Sequence, residues 1–130
     1  MAAAARLDLS VHWTEDFMDA TGWGLSDPAT GLPFDLTNYS IQMQVRRAAG
    51  APNAALIDAE FTTDATITGV TIPNPTTGFF FPQILAADLK AISGDQNIHR
   101  LAYDVRLGYP GIKHLVLLEG SFTILPGVSQ

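Results

Sequence analysis

The sequence contains no cysteine. Disulfide scaffolds, thiolate metal sites and thiol catalysis are therefore excluded, while the redox compartment stays open. Basic residues are also scarce: 7 Lys and Arg stand against 13 Asp and Glu, a net charge of −6. Phosphate binding needs a clustered basic patch and none is visible, so no nucleic-acid partner is expected. No apolar run approaches the ~20 residues that cross a bilayer, so no membrane insertion is expected either. Met1 to Leu9 holds a run of alanines and Arg6 but no long apolar stretch, and it does not read as a signal peptide. Nucleophile elbows of the form GxSxG, dinucleotide loops of the form GxGxxG and phosphate loops of the form GxxxxGK[ST] are all missing. No cofactor is implied.

What remains is ample for a folded core. The chain has 130 residues, 47% of them hydrophobic and 15% charged, which fits one globular domain and not a disordered chain. A domain of this size buries roughly two-thirds of its unfolded surface.

Period-two alternation dominates. Leu7, Leu9, Val11 and Trp13 share one parity, as do Ile41, Met43 and Val45. Ala55, Ile57, Ala59 and Phe61 form a third set, Leu101, Tyr103, Val105 and Leu107 a fourth, and Val116, Leu118, Phe122 and Ile124 a fifth. Each set predicts a strand with one buried face. The last runs through Gly120, where a bulge or a close backbone approach is expected. Shorter strands are predicted at 23–26, 66–72 and 78–81, with a parity slip at Gly69. Pro and Gly punctuate the intervals, as in Asp27-Pro28, Pro73-Asn74-Pro75 and Tyr109-Pro110-Gly111. Leu85, Leu89 and Ile92 fall at helical spacing, predicting one short helix over 84–92 that covers an open end. About 7–9 short strands with one helix predict an all-β sandwich over 7–130, preceded by a flexible arm at 1–6.

Candidates for chemistry are few. His12, His99 and His114 stand in no short ligand spacing, and His12 has the parity of a solvated strand residue. Asp58 and Glu60 would lie ~7 Å apart on one strand face, a separation glycosidases use, although alternating acids on an outer face ordinarily serve only to meet solvent. Gly94-Asp95-Gln96-Asn97 lacks the spaced carboxylates of a calcium loop. Trp23, Tyr39 and Tyr109 could form a sugar-stacking platform, but packing of Trp23 and Tyr39 inside is favoured. Phe79, Phe80 and Phe81 place rings on both faces of one strand, and Leu115, Val116, Leu117 and Leu118 do the same on another. A sandwich buries one face of each strand, so the second face needs the helix, the N-terminal arm or another subunit as cover.

The segment Gly31-Leu32-Pro33-Phe34-Asp35-Leu36-Thr37-Asn38-Tyr39-Ser40-Ile41-Gln42-Met43-Gln44-Val45-Arg46 resembles a pattern, G-x-P-x-D-L-T-G-Y-x-x-x-M-Q-V-R, of a family of small bacteriophage and prophage proteins encoded among tail and baseplate genes. Leu101-Ala102-Tyr103-Asp104-Val105-Arg106-Leu107 is similar to that family's Y-x-Y-D-L-x-L strand, and Leu117-Leu118-Glu119-Gly120 through Val128 to its closing L-L-E-G segment. Asn38 stands where the family has Gly, and Pro73 to Gly78 is longer than expected. Asn tolerates the left-handed conformation, so the turn is expected to survive.

The family is also similar to the immunoglobulin-like N-terminal domain of upper baseplate proteins. The resemblance implies an immunoglobulin-like antiparallel sandwich in a tailed-phage virion, made in the host cytoplasm, which connects tail parts or attaches a receptor-binding appendage. It implies no enzymatic activity. Its partners would be other tail and baseplate proteins and copies of itself in a symmetric assembly. Expected contacts are Met1 and Arg6 of the arm, Phe79, Phe80 and Phe81, and Leu115 and Leu117. Pro33, Asp35, Leu36, Thr37, Tyr39, Met43, Val45, Tyr103 and Phe122 are expected to form the turn and core. Two alternatives are a carbohydrate-binding module that uses Trp23, Tyr39 and Tyr109, and a capsid decoration or head–tail connector protein.

Overall fold

The computed structural model describes residues 5–18, 22–26, 29–47, 55–93, 98–108 and 115–126. Among the described residues, ten strands form two sheets and one α-helix packs beside them. In the first sheet, β5 (Ser40–Arg46) lies between β6 (Ile57–Ala59) and β9 (His99–Gly108), and β10 (Leu115–Leu125) flanks β9 on its other side. These pairs are antiparallel. The register places Ile41 opposite Leu107, Met43 opposite Val105 and Val45 opposite Tyr103. All six are buried, so the two cleanest alternating segments meet face to register as their periods predict.

β1 (Ala5–Arg6) and β2 (Leu9–His12) both run parallel to β10 on its free edge. Parallel pairing departs from the antiparallel sandwich expected. A parallel pair needs a long connection between its strands, and here most of the chain lies between them. Ala5 and Arg6, expected within a loose arm, are thus part of the sheet, whereas Met1 lies outside the described residues. Leu7 is 46% exposed and not on the buried parity, because the chain kinks between β1 and β2.

The second sheet centres on β8 (Phe79–Ile84). β3 (Phe17–Met18) and β4 (Trp23–Gly24) pair successively along one side, and β7 (Gly69–Thr71) along the other. β8 is longer than predicted and claims Ile84 from the expected helix, leaving α1 at Ala86–Ser93. It accommodates Pro82 because the opposing Val70 directs its N–H to Glu60 O and its carbonyl to Thr62 N, away from β8. Pro82 therefore faces β7 as a non-hydrogen-bonded pair, and its missing N–H costs no bond there. The same two bonds join the sheets along one edge, since Phe61 leaves β6 to bridge Val70. That crossing exposes Phe61, which the alternation had assigned inward.

Between the sheets, an edge-to-face series of rings crosses the core. Phe80 meets Trp23 at 5.9 Å, Trp23 meets Phe17 at 6.3 Å, Phe17 meets Phe122 at 5.3 Å, and Phe122 meets Tyr103 at 6.3 Å. Such pairs add about 0.5–1.5 kcal/mol each beyond the area they bury. Leu36, Leu89 and Ile84 complete the buried cluster. α1 closes one end through Leu89, which is fully buried, with Ile92 partly buried against the core. Its first amides are held from elsewhere in the chain: Ala86 N–H donates to Asp16 Oδ1 at 2.7 Å and Leu85 N–H to Thr68 Oγ1 at 2.9 Å.

Candidate interaction surface

The alternation of β8 sends Phe80, Pro82 and Ile84 into the core and leaves Phe79, Phe81 and Gln83 on the outer face. The triple-Phe expectation thus divides. Phe80 is buried, Phe81 half-buried and Phe79 43% exposed. Each outer ring lies against a glycine. A Cβ on Gly24, the register partner of Phe79, would stand 2.8 Å from that ring, and one on Gly22 would stand 2.7 Å from Phe81. The glycines let each ring bury one side against the sheet while the other faces outward.

Beside Phe81, the outer face deepens into a groove of about 390 Å³. Met18 is 57% exposed and Ile67 is 45% exposed along it, and Pro73 and Thr71 continue its wall. Gln83 donates from Nε2 to the carbonyls of Ala65 and Ile67, both at 3.0 Å, and so fixes the segment carrying Ile67. Among the described residues no charged side chain lines this groove, although the chain carries a net charge of −6. An apolar concave face of this kind gains free energy by excluding water from an apolar partner surface. Sequence reading found Phe79 and Phe81 but missed Met18, Ile67 and Pro73. The available signal was the matched spacing of Gly22-x-Gly24 and Phe79-x-Phe81.

The other expected contacts lie elsewhere. Leu117 and Leu118 pack against the chain's own core beside a bulge between Val116 and Leu118. The bulge sits there and not at Gly120, which is instead a point of close approach: a Cβ would fall on the Leu7 carbonyl oxygen. The side chain of Leu115 and residues Tyr109 and His114 lie outside the described residues. Arg6 is exposed and lies 3.6 Å from Asp8. Trp23 belongs to the ring series, and Tyr39 packs on Phe34 at 5.5 Å, so neither presents an open stacking platform. His12 is half-buried and its Nδ1–H donates to Pro126 O at 2.7 Å, so it is not the solvated strand residue expected. Asp58, in β6, accepts from Gln42, and Glu60 follows just past the strand's end; both are exposed, as acids that serve only to meet solvent would be. Among the described residues no three His, Asp or Glu side chains gather as metal ligands, and no helix is long and apolar enough to cross a membrane.

The 31–46 segment folds as its residues suggest. Asp35 Oδ1 accepts the Thr37 amide at 2.9 Å and the Thr37 hydroxyl at 2.6 Å, which holds the Asp35 carboxyl below its usual pKa. Asn38 adopts φ 68°, the left-handed conformation expected of it, and Leu36 is buried. Pro33 forms an isolated bridge with Ser26.

Tyr103 and Asp8 form the second polar constellation. The Tyr103 hydroxyl donates to Leu7 O at 2.6 Å, and burial, reinforced by the Asp8 charge, pushes its pKa up to about 12. Asp8 accepts the Ser121 amide at 3.0 Å, which lowers its own pKa. No protein-family model matches the chain, and a search of curated proteins returns no match.

Proposed function

We propose that the chain is a non-enzymatic structural component of a tailed-phage virion, built into the tail or baseplate by contact with neighbouring tail proteins. The resemblance of residues 31–46 and of the two last strands to small tail and baseplate proteins supports this reading. The observation that carries it furthest is the apolar outer face formed by Met18, Ile67, Phe79 and Phe81, a surface suited to burial against another protein.

The sandwich itself is inferred to be immunoglobulin-like. β3 and β4, β8 and β7 occupy the positions of strands B, E and D, while β5, β9 and β10 stand as C, F and G. Two hallmarks of antibody domains differ. With no cysteine there is no inter-sheet disulfide, and the ring series takes its place at the centre. Tyr103, on the strand equivalent to F, bonds to the N-terminal segment and not to the corner preceding its own strand.

Labelled antibody against the recombinant chain, imaged on phage particles, tests the location. Label at the tail tip is expected. Label on the head would replace this reading with decoration or head–tail connection. Absence of label together with a saturable change in tryptophan emission on titration with host glycans would replace it with carbohydrate binding. A Met18→Asp/Phe79→Ser variant is expected to fold normally yet fail to enter particles.

A further inference from the structure

We propose that the outer edge of β10, filled by the chain's own residues 5–12, is also an acceptor for the same strand of a second copy, so that two copies can exchange residues 5–12. This does not rest on the tail-protein reading.

The acceptor is built to receive one particular segment. Along Leu118 to Leu125, β10 pairs with residues 5–6 and 9–12, and the kink between them is recognised atom by atom. Leu7 N–H donates to Glu119 O at 3.0 Å, and Ser121 N–H donates to Asp8 Oδ1 at 3.0 Å. Tyr103 Oη, reaching from the adjacent strand, donates to Leu7 O. Gly120 leaves empty the volume that this carbonyl fills. Leu7's own side chain is largely outside, so the site reads a backbone kink and one carboxylate. Recognition of an extended segment mainly through backbone hydrogen bonds at a sheet edge is β-augmentation, and it works equally well for a segment supplied by another molecule.

The hinge lies immediately after. Trp13 N–H donates to Leu125 O at 3.2 Å, the last hold of the arm on the first sheet, and Asp16 is anchored on the helix at Ala86. Between them Thr14 and Glu15 are exposed, and one backbone bond, from Glu15 N–H to His12 O, closes the turn. Opening that turn and passing the arm to a neighbour re-forms the contacts with β10 and Tyr103 in the other copy and breaks the bond from Glu15 N–H to His12 O. The span from Trp13 to Asp16 would reach at most about 11 Å when extended. The pairing is reciprocal, each copy supplying and receiving the same strand, so it closes as a two-fold dimer. With a net charge of −6 on each copy, exchange should be favoured by salt.

The absence of cysteine makes the test direct. Arg6 and Glu119 are register partners and both are exposed, so Arg6→Cys and Glu119→Cys together report where the arm lies. Oxidation of the full-length double variant bridges a monomer when the arm stays at home and yields a covalent dimer when it is exchanged. The expected result is a covalent dimer whose ratio to bridged monomer rises about tenfold for a tenfold rise in concentration while dimer is scarce. Bridged monomer alone at every concentration, with the single variants giving the same trace of dimer, overturns the proposal. Light scattering on the unmodified chain gives an independent reading: a single monomeric mass at millimolar concentration and high salt also overturns it.

Discussion

Asp16 and Ala86 are joined by one hydrogen bond, Ala86 N–H to Asp16 Oδ1, spanning 70 positions of sequence. Asp16 ends the turn that takes the chain from the first sheet to the second, and Ala86 opens the helix. The bond therefore fixes the start of α1 to the passage between layers. Asp16→Ala should lower stability by about 0.5–2 kcal/mol, the range for losing a side-chain cap. Urea midpoints of the variant and the original chain measure it; an unchanged midpoint would show that water satisfies the Ala86 amide as well.

Gly78 and Gly31 both have left-handed φ, 74° and 72°, but different surroundings. A Cβ on Gly78 would stand 2.5 Å from Leu25 O and 3.0 Å from Phe34 N, backbone atoms that cannot swing away. Around Gly31 nothing lies within 4 Å. Gly31→Ala should cost about 1–2 kcal/mol for the conformation alone, and Gly78→Ala distinctly more. Equal losses in thermal unfolding would refute the close packing at Gly78.

Phe122 is fully buried and touches rings from both directions, Phe17 and Tyr103. Phe122→Ala should cost about 3–5 kcal/mol. Phe122→Leu, which refills most of the volume, should recover much of that loss. A melting curve left in place by Phe122→Ala would remove it from the core.

Tyr103 gives the alkaline behaviour. Its hydroxyl ionises near 10.0 when unperturbed and near 12 in the folded chain. The folded state thus holds this proton more tightly. The resulting stabilisation is complete below pH 10 and is lost as pH rises from about 10 to about 12. Tyr103→Phe should flatten that part of the stability profile; an unaltered slope would contradict the placement of the hydroxyl on Leu7.

The parts of the fold visible in sequence are those set by a repeated local rule. β5 and β9 alternate strictly over seven or more residues, and every inward residue named from that pattern is buried. Asp35, Thr37 and Asn38 likewise act within their own turn. The rule fails where the chain changes partners. Leu7 and Phe61 obey alternation in sequence, yet one sits at a kink and the other at a crossing between sheets. Only the partner strand determines either event. Ile84 was drawn into the expected helix because β8 and α1 are both apolar and adjoin without a breaker. Of the outer groove, the rings on β8 were visible, but Met18 and Ile67 come from segments 65 and 16 residues away from Gln83, and nothing in their local pattern announces the meeting.

The parallel pairing of β2 with β10 also bears on mechanical load. Residues near the two chain ends lie side by side and point the same way, with Leu9 to His12 matched to Phe122 to Leu125. Tension that pulls the N-terminal end of β2 away from the C-terminal end of β10 loads these bonds in shear, so they must fail together. An antiparallel pair gripped at a common end would unzip one bond at a time. The same strand order that makes the core thus sets β2 and β10 to resist tension applied at their opposite ends.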